Sequence, residues 1–152
     1  MSDPVSFTSV TPRHGLPLLF SGQSAKEFSV NEAHARADAL LHPAIEGEAS
    51  TPPASPDEGE CWLVGAAATE AWDGEDGKLA CFAAGNWLFV APRDGLCVLD
   101  RATGQIVRYA DGWQVAEPPA APTGGSTTDA EARAAIVGLI DALRTAGVFA
   151  AI

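Results

Sequence analysis

Four interruptions of short apolar runs constrain this chain most. Gly85-Asn86, Arg93-Asp94-Gly95, Ala102-Thr103-Gly104 and Asp111-Gly112 separate runs at 79–84, 87–91, 96–100, 105–110 and 113–115. Gly, Asn and Asp tolerate the positive φ that tight hairpin turns need. Connections this short join only antiparallel neighbours, because a parallel pair needs a crossover of about a dozen residues. With a further strand at 61–65, residues 60–116 are expected to form an antiparallel β-meander of five to six short strands. Two segments within it echo each other, "CFAAGNWLFVAP" and "RYADGWQVAEP". Each runs aromatic, Ala, turn, Trp, Val-Ala, Pro, which predicts two similar hairpin corners with a Trp just after the turn. The echo is too short for a repeat fold.

Helices are expected on either side, giving an α+β class. Residues 1–28 have little periodicity and read as an extended N-terminal arm. Ser29 and Glu32 have capping-box spacing, and Val30, Ala33, Ala37, Leu40 and Leu41 then fall on one helical face. The predicted helix spans 29–42 and ends before Pro43. Residues 43–59, rich in Pro, Ser and acid, read as a loop whose prolines favour an extended path without a partner strand. Residues 117–127, "EPPAAPTGGST", read as a linker. Thr128 and Glu131 repeat the capping-box spacing, and an amphipathic helix over 128–147 follows, with Gly147 placed to end it. Ile136, Leu139, Ile140, Leu143 and Ala146 make its apolar stripe. The tail at 148–152, with Val148, Phe149 and Ile152, is apolar. Both stripe and tail are expected to pack on another subunit, since a free apolar tail is a liability in water.

Composition excludes several classes. The chain has 152 residues and a formal charge of −11, which disfavours nucleic acid and polybasic membrane contacts. No run reaches the roughly 20 apolar residues of a membrane helix, and the first residues lack the basic and apolar regions of a signal peptide. Manufacture in a cytoplasm is expected. The three cysteines, Cys61, Cys81 and Cys97, each sit in an apolar run and read as reduced core thiols.

Catalytic signals are weak. Of the three histidines, His34 and His42 lie too far apart for a zinc-helix pair and read as solvent-facing. The "DGEDGK" run departs from a calcium loop at Glu75-Asp76 and reads as a polar turn. Asp57, Glu58 and Glu60 read as a solvated loop, a poor setting for a raised carboxyl pKa. No nucleophile elbow, phosphate loop or dinucleotide fingerprint is present. No catalytic residue, metal or cofactor is expected. Trp62, Trp87 and Trp113 read as core. Trp72, in a loop rich in Gly and Asp, is the candidate for stacking on a sugar.

The segments "TPRHGLPLLFSGQSAKEFSVNEAHARADALLHPAIEG", "TPPASPDEGECWLVGAAATEAWDGEDGKLACFAAGNWLFVAPRDG" and "VRYADGWQV" resemble, in this order, a phage-related family of uncharacterised domains numbered 2793. Its pattern is matched by the Gly-Leu-Pro-Leu-Leu at Gly15, the Gly-Gln-x-x-Lys-Glu at Gly22, the Asn-Glu-Ala at Asn31, the Pro-Pro-x-x-Pro-x-x-Gly at Pro52, and the Trp87 and Trp113 hairpins. The resemblance covers roughly Thr11 to Val115. The family recurs in tail-fibre and spike proteins of phages and of gene transfer agents in alphaproteobacteria. The resemblance therefore implies a virion structural protein. A short spike base or fibre-attachment adaptor is expected, since the chain departs from longer relatives in having no shaft. Expected partners are further copies of itself, as a trimer with a pentamer as alternative, and capsid, tail or fibre proteins. A glycan-binding module recognising host polysaccharide is the alternative function.

Overall fold

The computed structural model describes residues 9–125 and 129–151. The protein is α+β and divides into two compact units, Met1–Pro92 and Arg93–Ile152.

In the first unit, residues 9–20 do not run extended. They fold back on themselves: Val10 bridges Pro17 in antiparallel fashion, and the Thr11 amide donates to the Leu16 carbonyl at 2.9 Å. Helix α1 (Lys26–Leu40) starts earlier than Ser29. The expected capping box does not form. Ala25 caps the helix in a left-handed conformation, Glu27 Oε1 reaches back to accept from the Gly22 amide at 3.0 Å, and Glu32 pairs with Arg36 one turn on. The predicted apolar face is not the docked one. Ala33, Ala37, Leu40 and Leu41 are exposed, whereas Asp38 and Ala39 are buried and Asn31, His34 and Ala35 half-buried. Those five positions follow helical spacing. The helix therefore docks through a largely polar face, which a search for apolar periodicity passes over.

The loop expected at 43–59 contains two short strands, β1 (Ala44–Ile45) and β2 (Glu48–Ala49). β2 pairs in parallel with β3 (Cys61–Val64), and β3 pairs antiparallel with β4 (Leu79–Ala83). β4 in turn pairs antiparallel with β5 (Asn86–Val90). The β4–β5 turn is Ala84-Gly85, both at positive φ, rather than Gly85-Asn86. Register puts alternate residues on opposite faces. Trp62, Val64, Ala80, Trp87 and Phe89 line one face with Ala68 and Trp72 packed against it. Cys61, Leu63, Leu79 and Cys81 share the other.

The meander breaks after β5, since β5 and β6 belong to different sheets. In the second unit, β6 (Cys97–Asp100), β7 (Gln105–Tyr109) and β8 (Trp113–Gln114) form consecutive antiparallel pairs. β6 and β7 alternate cleanly: Val98, Gln105 and Val107 are buried, while Cys97, Leu99, Ile106 and Arg108 are exposed. The hairpin echo is real in space. Phe82 faces Trp87 across one turn and Tyr109 faces Trp113 across the other. Both are edge-to-face pairs, with centroids 5.1 and 5.3 Å apart, an arrangement that adds about 0.5–1.5 kcal/mol beyond area burial.

Helix α2 (Ala130–Thr145) follows the linker. Asp129 is its N-cap, accepting from the Ala132 amide at 2.9 Å; the Thr128 of the expected capping box lies outside the described residues. Gly147, at φ 72°, ends the helix as expected. Its amide donates to Arg144 and that of Val148 to Leu143, the paired reverse bonds of a Schellman motif.

Candidate functional site

The expected contact residues divide into two groups. Ile140 and Phe149 are buried within their own chain and Leu143 is half-buried, so these three do not wait for a partner. Ile136, Leu139 and Val148 are exposed by 42%, 60% and 38%, and Ala146 is also exposed. Ile152 lies outside the described residues. Val137, which was not on the expected stripe, is 43% exposed. Cover over α2 thus grows toward its C-terminus: the last turn and a half is docked, and the middle stands open.

Backbone bonds explain why the tail is not free. The Ile106 amide donates to the Gly147 carbonyl at 2.7 Å, and that of Ala151 to Thr103 at 2.8 Å. β8 is only two residues long, so the tail takes up part of the β7 edge it leaves unpaired. Gln105, 5% exposed, fixes the arrangement: its Nε2 donates to the Ala116 carbonyl at 2.6 Å and to the Val148 carbonyl at 2.9 Å. Nothing in the sequence singled out Gln105, since a polar residue opening a strand is ordinary. Beside it runs an open groove of about 290 Å³ lined by Ile106, Arg108, Gln114, Val115, Ala116 and Val148. Its apolar walls with one cation suit an apolar side chain carrying or flanked by a carboxylate.

The first unit holds a polar cluster instead. Asp38, 2% exposed, accepts from Thr11 Oγ1 at 2.7 Å and from the amides of Arg13 and His14 at 2.9 and 2.7 Å. His14 Nδ1 lies 3.3 Å away. Burial pushes the Asp38 carboxyl up, but these hydrogen bonds outweigh it and hold it below the usual carboxylate range. Arg13 Nη1 donates to the Ala39 carbonyl at 2.9 Å and Nη2 to His42 at 3.1 Å, closing the C-terminal end of α1. Its Nη1 also lies 3.8 Å from Cys61 Sγ. His34, expected to face solvent, is half-buried with its Nδ1 2.7 Å from the Pro17 carbonyl.

Other expectations change as well. Trp72 is fully buried and packs edge-to-face on Trp87 at 5.1 Å, so its ring is core and not a sugar platform. The Gly- and Asp-rich loop wraps over it because Asp76 accepts from the amides of Ala67 and Ala68. Trp62, Trp87 and Trp113 are only half-buried. Cys61 and Cys81 are buried as expected, but Cys97 is exposed, because it lies on the open face of β6. Glu58 and Glu60 fasten backbone rather than sit idle in solvent: Glu58 receives the amides of Ala84 and Gly85, and Glu60 those of Asp57 and the Trp62 indole. Among the described residues no cluster of three or more His, Cys, Asp or Glu is placed to hold a metal ion. No helix among them is long and apolar enough to cross a membrane.

A family model described as "Protein of unknown function (DUF2793)" matches residues 30–115. The match takes in most of α1 and all eight strands found among the described residues, and leaves out α2. Neither the curated proteins nor the solved structures yield a match.

Proposed function

The chain belongs to the DUF2793 family, and from that premise we propose that it is a structural component of a phage-like particle, of a phage or gene transfer agent. In this reading it is a short spike base or fibre-attachment adaptor, non-catalytic, that joins copies of itself and helps connect the particle to a host-adsorption fibre. The resemblance to domains of tail-fibre and spike proteins supports the setting. The observation that carries the adaptor role is the open middle of α2, where Ile136, Val137 and Leu139 remain exposed although the helix end is docked. Covering three such side chains would contribute several kcal/mol to an interface at about 25 cal/mol per Å². A trimer is favoured over a pentamer because fibres and spikes are commonly threefold.

The test is the mass of the full chain in solution by light scattering, and its capture by particle proteins. A homo-oligomer that Leu139→Glu converts to monomer is the expected result. A monomer at every concentration that also fails to bind isolated capsid, tail or fibre proteins would sink the reading. The glycan-binding alternative has lost the side chain on which it was built, Trp72.

A further inference from the structure

Cys61 and Cys81 stand directly opposite each other on β3 and β4. The ladder fixes what kind of pair they are. The Phe82 amide donates to the Glu60 carbonyl at 2.8 Å, one residue outside the pair on each strand. In an antiparallel ladder that marks the residues between as a non-hydrogen-bonded pair. At such pairs the Cα atoms approach to about 4.5 Å and the side chains leave the same face. A disulfide spans Cα separations of about 4.4–6.8 Å, so both thiols already stand where one could close without moving either strand.

Their surroundings are not equivalent. Cys61 has the Arg13 guanidinium 3.8 Å from its sulfur, and Arg13 is held there by the Ala39 and His42 carbonyls. The same sulfur lies 3.8 Å from the Gly59 carbonyl, which accepts the thiol proton; once that proton leaves, the fixed cation faces the negative charge on sulfur. The Cys81 thiol is pushed far up, first by its hydrogen bond to Cys61 and then by burial. Both are nearly sealed, at 2% and 4% exposure. Two residues before Cys61, Gly59 at φ +88° packs so closely on Pro12 and Arg13 that a Cβ there would lie 3.0 Å from Arg13 Cγ.

We infer that Cys61 and Cys81 form a redox-convertible dithiol, a modification site that small disulfides oxidise to a cross-strand bond stapling β3 to β4. Cys61 thiolate attacks one sulfur of the reagent, giving a mixed disulfide and releasing one thiolate. That thiolate takes the Cys81 proton; Cys81 sulfur then attacks Cys61 Sγ and expels the second reagent thiolate, which takes up, through solvent, the proton that Cys61 lost on ionising. Two electrons and two protons pass from protein to reagent, which leaves as two thiols. With both sulfurs buried, attack waits on a local opening, and release of the Arg13 side chain that lies on Cys61 Sγ is the step that admits the reagent. The site is independent of the particle role proposed above, and its test does not involve assembly.

The experiment uses the full chain carrying Cys97→Ser, to remove the exposed thiol, and 2-hydroxyethyl disulfide as oxidant. After incubation and quenching, the protein is unfolded, its thiols are titrated and its peptides mapped. The expected result is loss of both thiols, a linked peptide joining Cys61 to Cys81, a higher urea midpoint, and full reversal by dithiothreitol. Two thiols still titratable after an exposure that fully modifies Cys97 in the unsubstituted chain would overturn the inference, as would two separate adducts without a link. In Cys81→Ser the reagent should remain attached to Cys61, and in Cys61→Ser nothing should attach to Cys81; the reverse pattern would overturn the assignment of the attacking sulfur. Should either serine variant not fold, the linked-peptide result decides alone.

Discussion

The two helices teach opposite lessons about what holds an amphipathic segment in place. α2 has the stronger apolar stripe, yet only Ile140 is buried along it. α1 has no coherent apolar face and leaves Phe28, Leu40 and Leu41 outside at 74%, 38% and 44% exposure. It is nonetheless anchored from Asn31 to Asp38. Asn31 exchanges two hydrogen bonds with the backbone of Leu19, His34 meets Pro17, and Asp38 gathers Thr11, Arg13 and His14. Each anchor lies about one turn from the next, and each supplies a partner for backbone of the folded-back loop. A polar group buried with its full set of partners is stable, and the same group deprived of them is costly. α1 is therefore specified by geometry, whereas α2 offers area.

That contrast can be broken experimentally, and the largest effect should come from Asp38. Asp38→Ala strands a hydroxyl and two amides and should destabilise the first unit by about 3 kcal/mol, read by urea denaturation. A change within experimental error would show that α1 is held by packing after all. Acid probes the same residue more gently. Its carboxyl titrates lower in the folded state than in the unfolded chain, so its stabilisation is complete above the unfolded value of about 3.9 and fades as pH falls through the lower folded value. The wild-type melting temperature should therefore drop more steeply below pH 4 than that of Asp38→Asn; parallel profiles would count against the assignment.

In the second unit, Gln105→Ala should cost about 2 kcal/mol, by leaving the Ala116 and Val148 carbonyls without their donor. Hydrogen exchange should then rise at the Ile106 and Ala151 amides first, and unchanged protection would mean the tail is held otherwise. Asn31→Ala removes two bonds at a half-buried site and should cost about 1 kcal/mol, seen as faster exchange at Leu19. Smallest of all, Leu139→Glu should leave the stability of dilute protein within about 0.5 kcal/mol. A large loss would place Leu139 in the chain's own core and erase the contrast between the helices.

How much of this was legible in the sequence follows the same division. The strands were readable nearly to the residue because β-branched and aromatic runs end at Gly, Asn and Asp. The paired hairpins were readable because Trp87 and Trp113 sit at matching offsets. α2 was readable from its stripe and from Gly147. The face of α1 was not, since Asn31, His34 and Asp38 look like ordinary surface residues until the loop that needs them is in view. β1 and β2 escaped notice because strands of two residues carry no alternation. Trp72 misled because local composition describes the loop around a side chain and not where its ring goes. Of the candidate contact surface, the sequence marked Ile136, Leu139 and Val148 and missed Val137 and the groove beside Gln105.

The bond from the Ile106 amide to the Gly147 carbonyl has a mechanical consequence. A helix gripped from outside by Leu139 and its neighbours would not pull on a loose tether. Tension along α2 would enter the β6–β7 hairpin where Gly147, Val148 and Ala151 are laced to it, loading several backbone bonds and the Gln105 amide together. The hairpin would then resist as a clasp, and the yield point of the second unit would be set by that seam and not by the helix.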